Sequence, residues 1–237
     1  MKAPFKNPVF VALDTANLSR ALEIGEAVAP YAGGLKVGLE FITAQGPEGI
    51  KRIAALGLPI FADVKFHDIP NTVSGATKAI ASLGVSIFNV HVSGGAAMMR
   101  AAVETAQALS PATRVIGVTV LTSFTEADME SVGLKVSAAD QVTRLARLAK
   151  LAGLHGVVCS PHEIAPVRAA CGKDFLIVTP GVRPAGAAMG DQHRVMTPIE
   201  AHRAGADILV IGRPITHAVD PGIAARAIAA ELMESTA

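Results

Sequence analysis

Eight short apolar runs, rich in β-branched residues, recur along the chain at 9–13, 35–39, 60–66, 85–92, 115–121, 156–159, 175–178 and 208–211. Each is followed by a polar or glycine-bearing turn and then by residues with helical spacing. A strand that is apolar on both faces must be covered on both, which is the condition of a parallel sheet flanked by helices. Eight strand–helix units within 237 residues predict a sheet closed on itself: a (β/α)8 TIM barrel, one catalytic domain spanning residues 1–237. The alternative, an open doubly wound sheet, lacks a G-x-G-x-x-G turn after the first strand.

After the first run, Leu18, Leu22, Glu23 and Glu26 divide into an apolar and a polar face, and after the last, Ile223, Ala227 and Ile228 mark one face. The connection between the fifth and sixth strands, residues 122–155, is longer than the others. It has room for an extra short helix before an amphipathic one at 138–151. Residues 182–193 are rich in Gly and Ala and read as a mobile loop, with Gly186 and Gly190 suited to a lid.

A formal charge of +1 gives no long-range attraction to nucleic acid or anionic membrane, so any bound anion must be gripped locally. Cys159 and Cys171 lack C-x-x-C spacing and are expected to be buried thiols in a reducing compartment. Lys2 and Lys6 precede an apolar run that Asp14 interrupts, too short for a signal-peptide core, and no run approaches a membrane span. A cytoplasmic location is expected.

Charges in apolar strands are the informative exceptions, because burying an unpaired ion costs several kcal/mol, on the order of the stability margin of a domain. Asp14 ends the first strand, Lys36 sits in the second, and Asp63 and Lys65 lie in the third, with Asp68 following in the loop. Residues two apart on a strand share a face, so Asp63 and Lys65 should project together on the side of Phe61. Lys36 and Asp68 could complete a network of alternating sign. Such a network either plugs the barrel as a structural ion-pair cluster or performs chemistry at the C-terminal end of the strands. After the eighth strand, Gly212-Arg213-Pro214 offers a backbone that can approach an anion and a guanidinium to neutralise it. Read blandly, the same residues are a strand-to-helix turn with a surface Arg.

The run Asp63-Val64-Lys65-Phe66-His67-Asp68-Ile69-Pro70-Asn71-Thr72 resembles the D-x-K-x-x-D-I-P-N-T signature of the orotidine 5′-phosphate decarboxylases. The similarity continues through Leu13-Asp14, Leu35-Lys36-Val37-Gly38, the segment 118–123, Thr179-Pro180-Gly181-Val182-Arg183-Pro184, Asp191-Gln192 and the segment 211–216. These segments follow in family order over nearly the whole chain, without departure at a functional position. The resemblance implies decarboxylation of orotidine 5′-monophosphate to UMP and carbon dioxide, with no cofactor and no metal. It assigns Lys65 as the cation beside the developing C6 carbanion and then as its proton donor, with Asp63 near the substrate carboxylate. Asp63 and Asp68 would keep Lys65 charged and oriented, and Lys36 would join the network. Asp14 and Lys36 would hold the ribose hydroxyls, Thr122 would contact the pyrimidine, and Arg183, Gln192, Gly212 and Arg213 would enclose the phosphate. In the family the residues matching Asp68 and Thr72 come from the neighbouring subunit, which implies a homodimer with shared sites. From the residues alone, Asp68 just ahead of Pro70 could equally cap the next helix.

His67 beside Asp68 and His91 ending the fourth strand are the only tempting metal ligands, and no H-x-x-x-H pair supports them. Two rival functions stand beside the decarboxylase. One is a magnesium-dependent sugar-phosphate barrel, whose strand-two glutamate ligand is replaced here by Lys36. The other is a non-catalytic phosphate-binding barrel, which would need Gly212 and Arg213 but not a lysine between two aspartates.

Overall fold

A computed structural model of the chain describes residue 5, residues 7–184 and residues 196–234. Eight parallel strands close into a barrel in sequence order: β1 (Val9–Ala12), β2 (Gly34–Val37), β3 (Ile60–Phe66), β4 (Ile87–His91), β5 (Arg114–Val118), β6 (Gly156–Val158), β7 (Leu176–Thr179) and β8 (Ile208–Ile211). The ring is completed by β1 against β8, with Val9 opposite Leu209. Outside it run α1 (Leu18–Val28), α2 (Leu39–Ala54), α3 (Pro70–Ala81), α4 (Gly95–Leu109), α5 (Glu126–Ser131), α6 (Ala138–Leu151), α7 (Ile164–Cys171), α8 (Pro198–Arg203), α9 (Arg213–Thr216) and α10 (Pro221–Glu234).

Alternate strand residues divide between two cores. Val9, Val11, Leu35, Val37 and their counterparts point outward and pack against the helices. Phe10, Phe61, Ile87, Ile116, Val178 and Ile208 point inward and fill the lower barrel. Phe10 crosses that interior only because its β2 partner is Gly34, where a Cβ would lie 2.4 Å from the ring. The edge of Phe5 meets the same ring, with centroids 5.0 Å apart.

The predicted long β5–β6 connection contains α5, whose start is a capping box between Thr125 and Asp128. The amphipathic helix follows at the expected residues, with Ser137 as its N-cap. Strand ends differ modestly from expectation. Leu39 opens α2 rather than closing β2, because Gly38 already leaves the ladder as its extended N-cap. The apolar run after Val118 leaves the sheet, yet Val120 and Leu121 remain useful as lining of the cavity above the barrel. The face expected of α10 is corrected: Ile223 is 68% exposed, and Gly222, Ala225, Ile228, Ala229 and Leu232 pack inward instead. Small Gly222 and Ala225 permit close approach, which the larger Ile223 would prevent. Cys159 and Cys171 are both buried. Among the described residues, no helix is long and apolar enough to cross a membrane.

Candidate active site

Above the apolar layer, the barrel interior becomes ionic. Lys36 projects from β2, Asp63 and Lys65 from β3, and Asn89 from β4, all into one cavity of about 290 Å³ at the C-terminal mouth. Asp63 Oδ1 accepts from Lys65 Nζ at 2.6 Å, and Asp63 Oδ2 lies 3.5 Å from Lys36 Nζ. Lys36 Nζ also donates to Asp14 Oδ1 at 2.8 Å. The result is a chain of alternating charge, Asp14–Lys36–Asp63–Lys65. Asp14 lies just beyond β1 with its carboxylate half in solvent, whereas the Lys36 side chain is only 8% exposed. Gly38 leaves room for this bridge, since a Cβ there would stand 2.9 Å from Lys36 Nζ.

Burial is the largest influence on Asp63 and opposes its ionised form. The charges of Lys36 and Lys65, with hydrogen bonds from Lys65 and Asn89, outweigh it and hold the carboxyl below its ordinary value. The site therefore keeps a buried carboxylate charged by surrounding it with donors. Its apolar wall is formed by Val118, Val158, Val178 and Val210, so charge developing inside meets a low dielectric.

Phe61, Asp63 and Lys65 do share the cavity, but regular strand alternation is not the cause. Between the pairs Ala62↔Phe88 and Phe66↔Val90, β3 advances four residues while β4 advances two. Within this bulge Lys65 takes φ +53°, the only positive φ at a non-glycine among the described residues. The third strand thus turns Lys65 into the cavity through a distorted backbone.

Beside Asp14, Gly212, Arg213 and Thr216, at and just after the end of β8, line the same cavity, as does Thr122 after β5. Arg183 follows β7; its side chain lines the cavity and donates to the Val182 carbonyl at 2.9 Å, and its backbone N–H bonds the Met196 carbonyl at 3.0 Å. His217 also faces the cavity and was not singled out by sequence. Gln192 lies outside the described residues, as do Gly186, Gly190 and Asp191.

Asp68 and Thr72 stand apart from this arrangement within the chain. Both are exposed, and Asp68 Oδ1 accepts from the Ile69 N–H at 2.7 Å. Asp68 is not the helix cap either: the N-cap position of α3 is Ile69, which makes no side-chain cap bond. His67 and His91 stack with ring centroids 5.4 Å apart. Burial first, then His67 and Lys65 nearby, lower the pKa of His91, against the opposing pull of Asp63. Among the described residues, no three His, Cys, Asp or Glu gather as a metal site would require.

Comparison with known proteins gives this geometry a family. Residues 7–228 match the model of the orotidine 5′-phosphate decarboxylase / HUMPS family. The chain is 51% identical over 232 residues to the orotidine 5′-phosphate decarboxylase of Paramagnetospirillum magneticum, covering 95% of this chain and 98% of that protein. It is 55% identical to the enzyme of that name from Moorella thermoacetica, over 96% of this chain and 92% of the other. A crystal structure of orotidine 5′-phosphate decarboxylase from Lactobacillus acidophilus superposes with a TM-score of 0.85 at 38% identity, covering 96% of this chain and 99% of that one. The chain therefore belongs to the orotidine 5′-phosphate decarboxylase family and is an enzyme, a carboxy-lyase.

Proposed function

We propose that this enzyme decarboxylates orotidine 5′-monophosphate to UMP and carbon dioxide, the last step of de novo pyrimidine nucleotide synthesis, with Lys65 as proton donor. The observation that carries the reading is the half-buried Asp63–Lys65 pair, joined at 2.6 Å at the cavity wall and extended through Lys36 to Asp14. The C6–carboxylate bond breaks, its electron pair stays on C6, and carbon dioxide departs. An ammonium held beside C6 stabilises that carbanion without reorganising during the reaction. Lys65 Nζ then gives its proton to C6, forming UMP, and the resulting amine regains a proton from water. Asp63 would repel the substrate carboxylate, and its hydrogen bond orients Lys65.

Asp14 and Lys36 are suited to the ribose hydroxyls, and Thr122 to the pyrimidine. Arg183, Gln192, Gly212 and Arg213 would hold the phosphate. Asp68 and Thr72 would reach the site of a partner subunit in a homodimer; their exposure beside the 66% exposed Ile69 supports this. Such an enzyme acts on a small molecule in the cytoplasm and needs neither nucleic acid nor membrane.

The test is loss of orotidine 5′-monophosphate absorbance with protein dialysed against EDTA. Full activity is expected, because both carboxylates in the cavity, Asp14 and Asp63, are already bridged to lysine ammonium groups. Turnover that disappeared and returned with magnesium would overturn the metal-free mechanism, and no turnover at all would leave a sugar-phosphate enzyme or a phosphate-binding barrel.

A further inference from the structure

Asn89 was not marked by its sequence, and the reaction as described gives it no part. Its side chain is fully buried, inward-facing on β4 at a level where the layer below is apolar. The amide bridges the two residues on which the chemistry turns. Oδ1 accepts the Lys65 backbone N–H at 2.7 Å, and Nδ2 donates to Asp63 Oδ1 at 2.7 Å, the oxygen that also receives Lys65 Nζ.

The β3 bulge explains why such a group is required. Two surplus residues between Ala62 and Phe66 deprive the Lys65 N–H of a regular ladder acceptor, in the interior where an unpaired donor is penalised. The Asn89 carbonyl takes the place of that acceptor. The orientation of the amide is forced, since a carboxylate can only accept and a backbone N–H can only donate. Only a primary amide of this length offers one acceptor and one donor across that gap. An aspartate would set two carboxylates together, a leucine would satisfy neither group, and a glutamine is one methylene too long.

We propose that Asn89 is a positioning residue for the decarboxylation: it clamps the bulge so that Lys65 Nζ and Asp63 Oδ1 are held at one fixed place in the cavity. It acts through those two residues and not by contact with substrate. The inference rests on the function proposed above. Asn89→Leu should lower kcat by about 100-fold while KM changes by no more than about threefold, because the ribose and phosphate grips are untouched. Asn89→Asp faces Asp63, with Lys65, Lys36 and His91 as the other titratable neighbours. A proton must then be shared between the two carboxylates, so kcat should rise as pH is lowered from 8 to 6, a limb that the wild type lacks. Hydrogen exchange at the Lys65 amide reads the clamp independently of any substrate, and Asn89→Leu should accelerate it at least about tenfold. Folded Asn89→Leu with kcat within about threefold of wild type overturns the proposal. If that variant does not fold, an Asn89→Asp pH profile parallel to the wild type overturns it instead. An inactive wild type with a protected Lys65 amide would sink the assigned reaction and leave the clamp standing.

Discussion

Lys65 combines two penalties in one residue. Its side chain is only 29% exposed, and its backbone lies at φ +53°, a region where a Cβ is disfavoured by about 1–2 kcal/mol. In most helical or extended positions, replacing Gly by Ala stabilises a protein; at Lys65 the order should invert. Lys65→Gly is expected to melt about 2–4 °C above Lys65→Ala, while both lose many orders of magnitude in kcat. Calorimetry and turnover on the same samples decide this; equal melting temperatures would mean that the bulge carries no strain. Arg213 gives a second test at this scale. Arg213→Ala should reduce kcat/KM at least about tenfold more for the phosphorylated substrate than for the nucleoside, because remote binding energy is used in the chemical step. Equal losses on both would remove Arg213 from the phosphate grip. The four strand charges were legible beforehand because ions stand out against apolar runs. Asn89 was not: a neutral amide between Phe88 and Val90 carries no such contrast, and its role depends on a bulge that has no sequence signal of its own.

At the end of the barrel away from the cavity, one side chain ties three secondary-structure elements together. Arg168 on α7 donates to the carbonyls of Gly172, Lys173 and Phe175 and to that of Gly205, and pairs with Asp207 at 2.6 Å. Asp207 also accepts the Ile177 N–H, so one guanidinium joins a helix to the entries of β7 and β8. Arg168→Ala strands a partly buried carboxylate and several carbonyls, which should lower stability by about 2–4 kcal/mol. Turnover of the folded fraction should be unchanged, and denaturant titration with a kcat measurement tests both halves of that expectation. Element identity was readable from period and length, down to the exact bounds of β3, β8 and α6. Element ends were less so, because a run such as 115–121 stays apolar after its ladder stops, its last residues roofing a cavity instead of pairing. The inward face of α10 differs from expectation at its first turn: close approach at Gly222 and Ala225 turns Ile223 outward, although Ile228 and Leu232 further along pack inside.

On the scale of the whole molecule, the proposed sharing of sites makes a quantitative claim. If Asp68 serves the partner's Lys65, the homodimers of Lys65→Ala and of Asp68→Ala are each nearly dead. Random equal exchange makes about half the dimers mixed, each with one site intact, so about a quarter of wild-type activity per site should return. Exchange verified by mass without recovery would place Asp68 in its own subunit's site. The barrel itself has a further consequence, in time. Its closing pair, Val9 with Leu209, joins residues separated by 200 positions. At about 5–20 residues per second, a ribosome takes about 10–40 s to make that interval. Once β2 is made, β1 has it on one side and nothing to pair with on the other until β8 arrives, an apolar edge open to any passing strand. The ring is sealed only by its last-made strand, so the period of greatest exposure to aggregation falls during synthesis rather than after it.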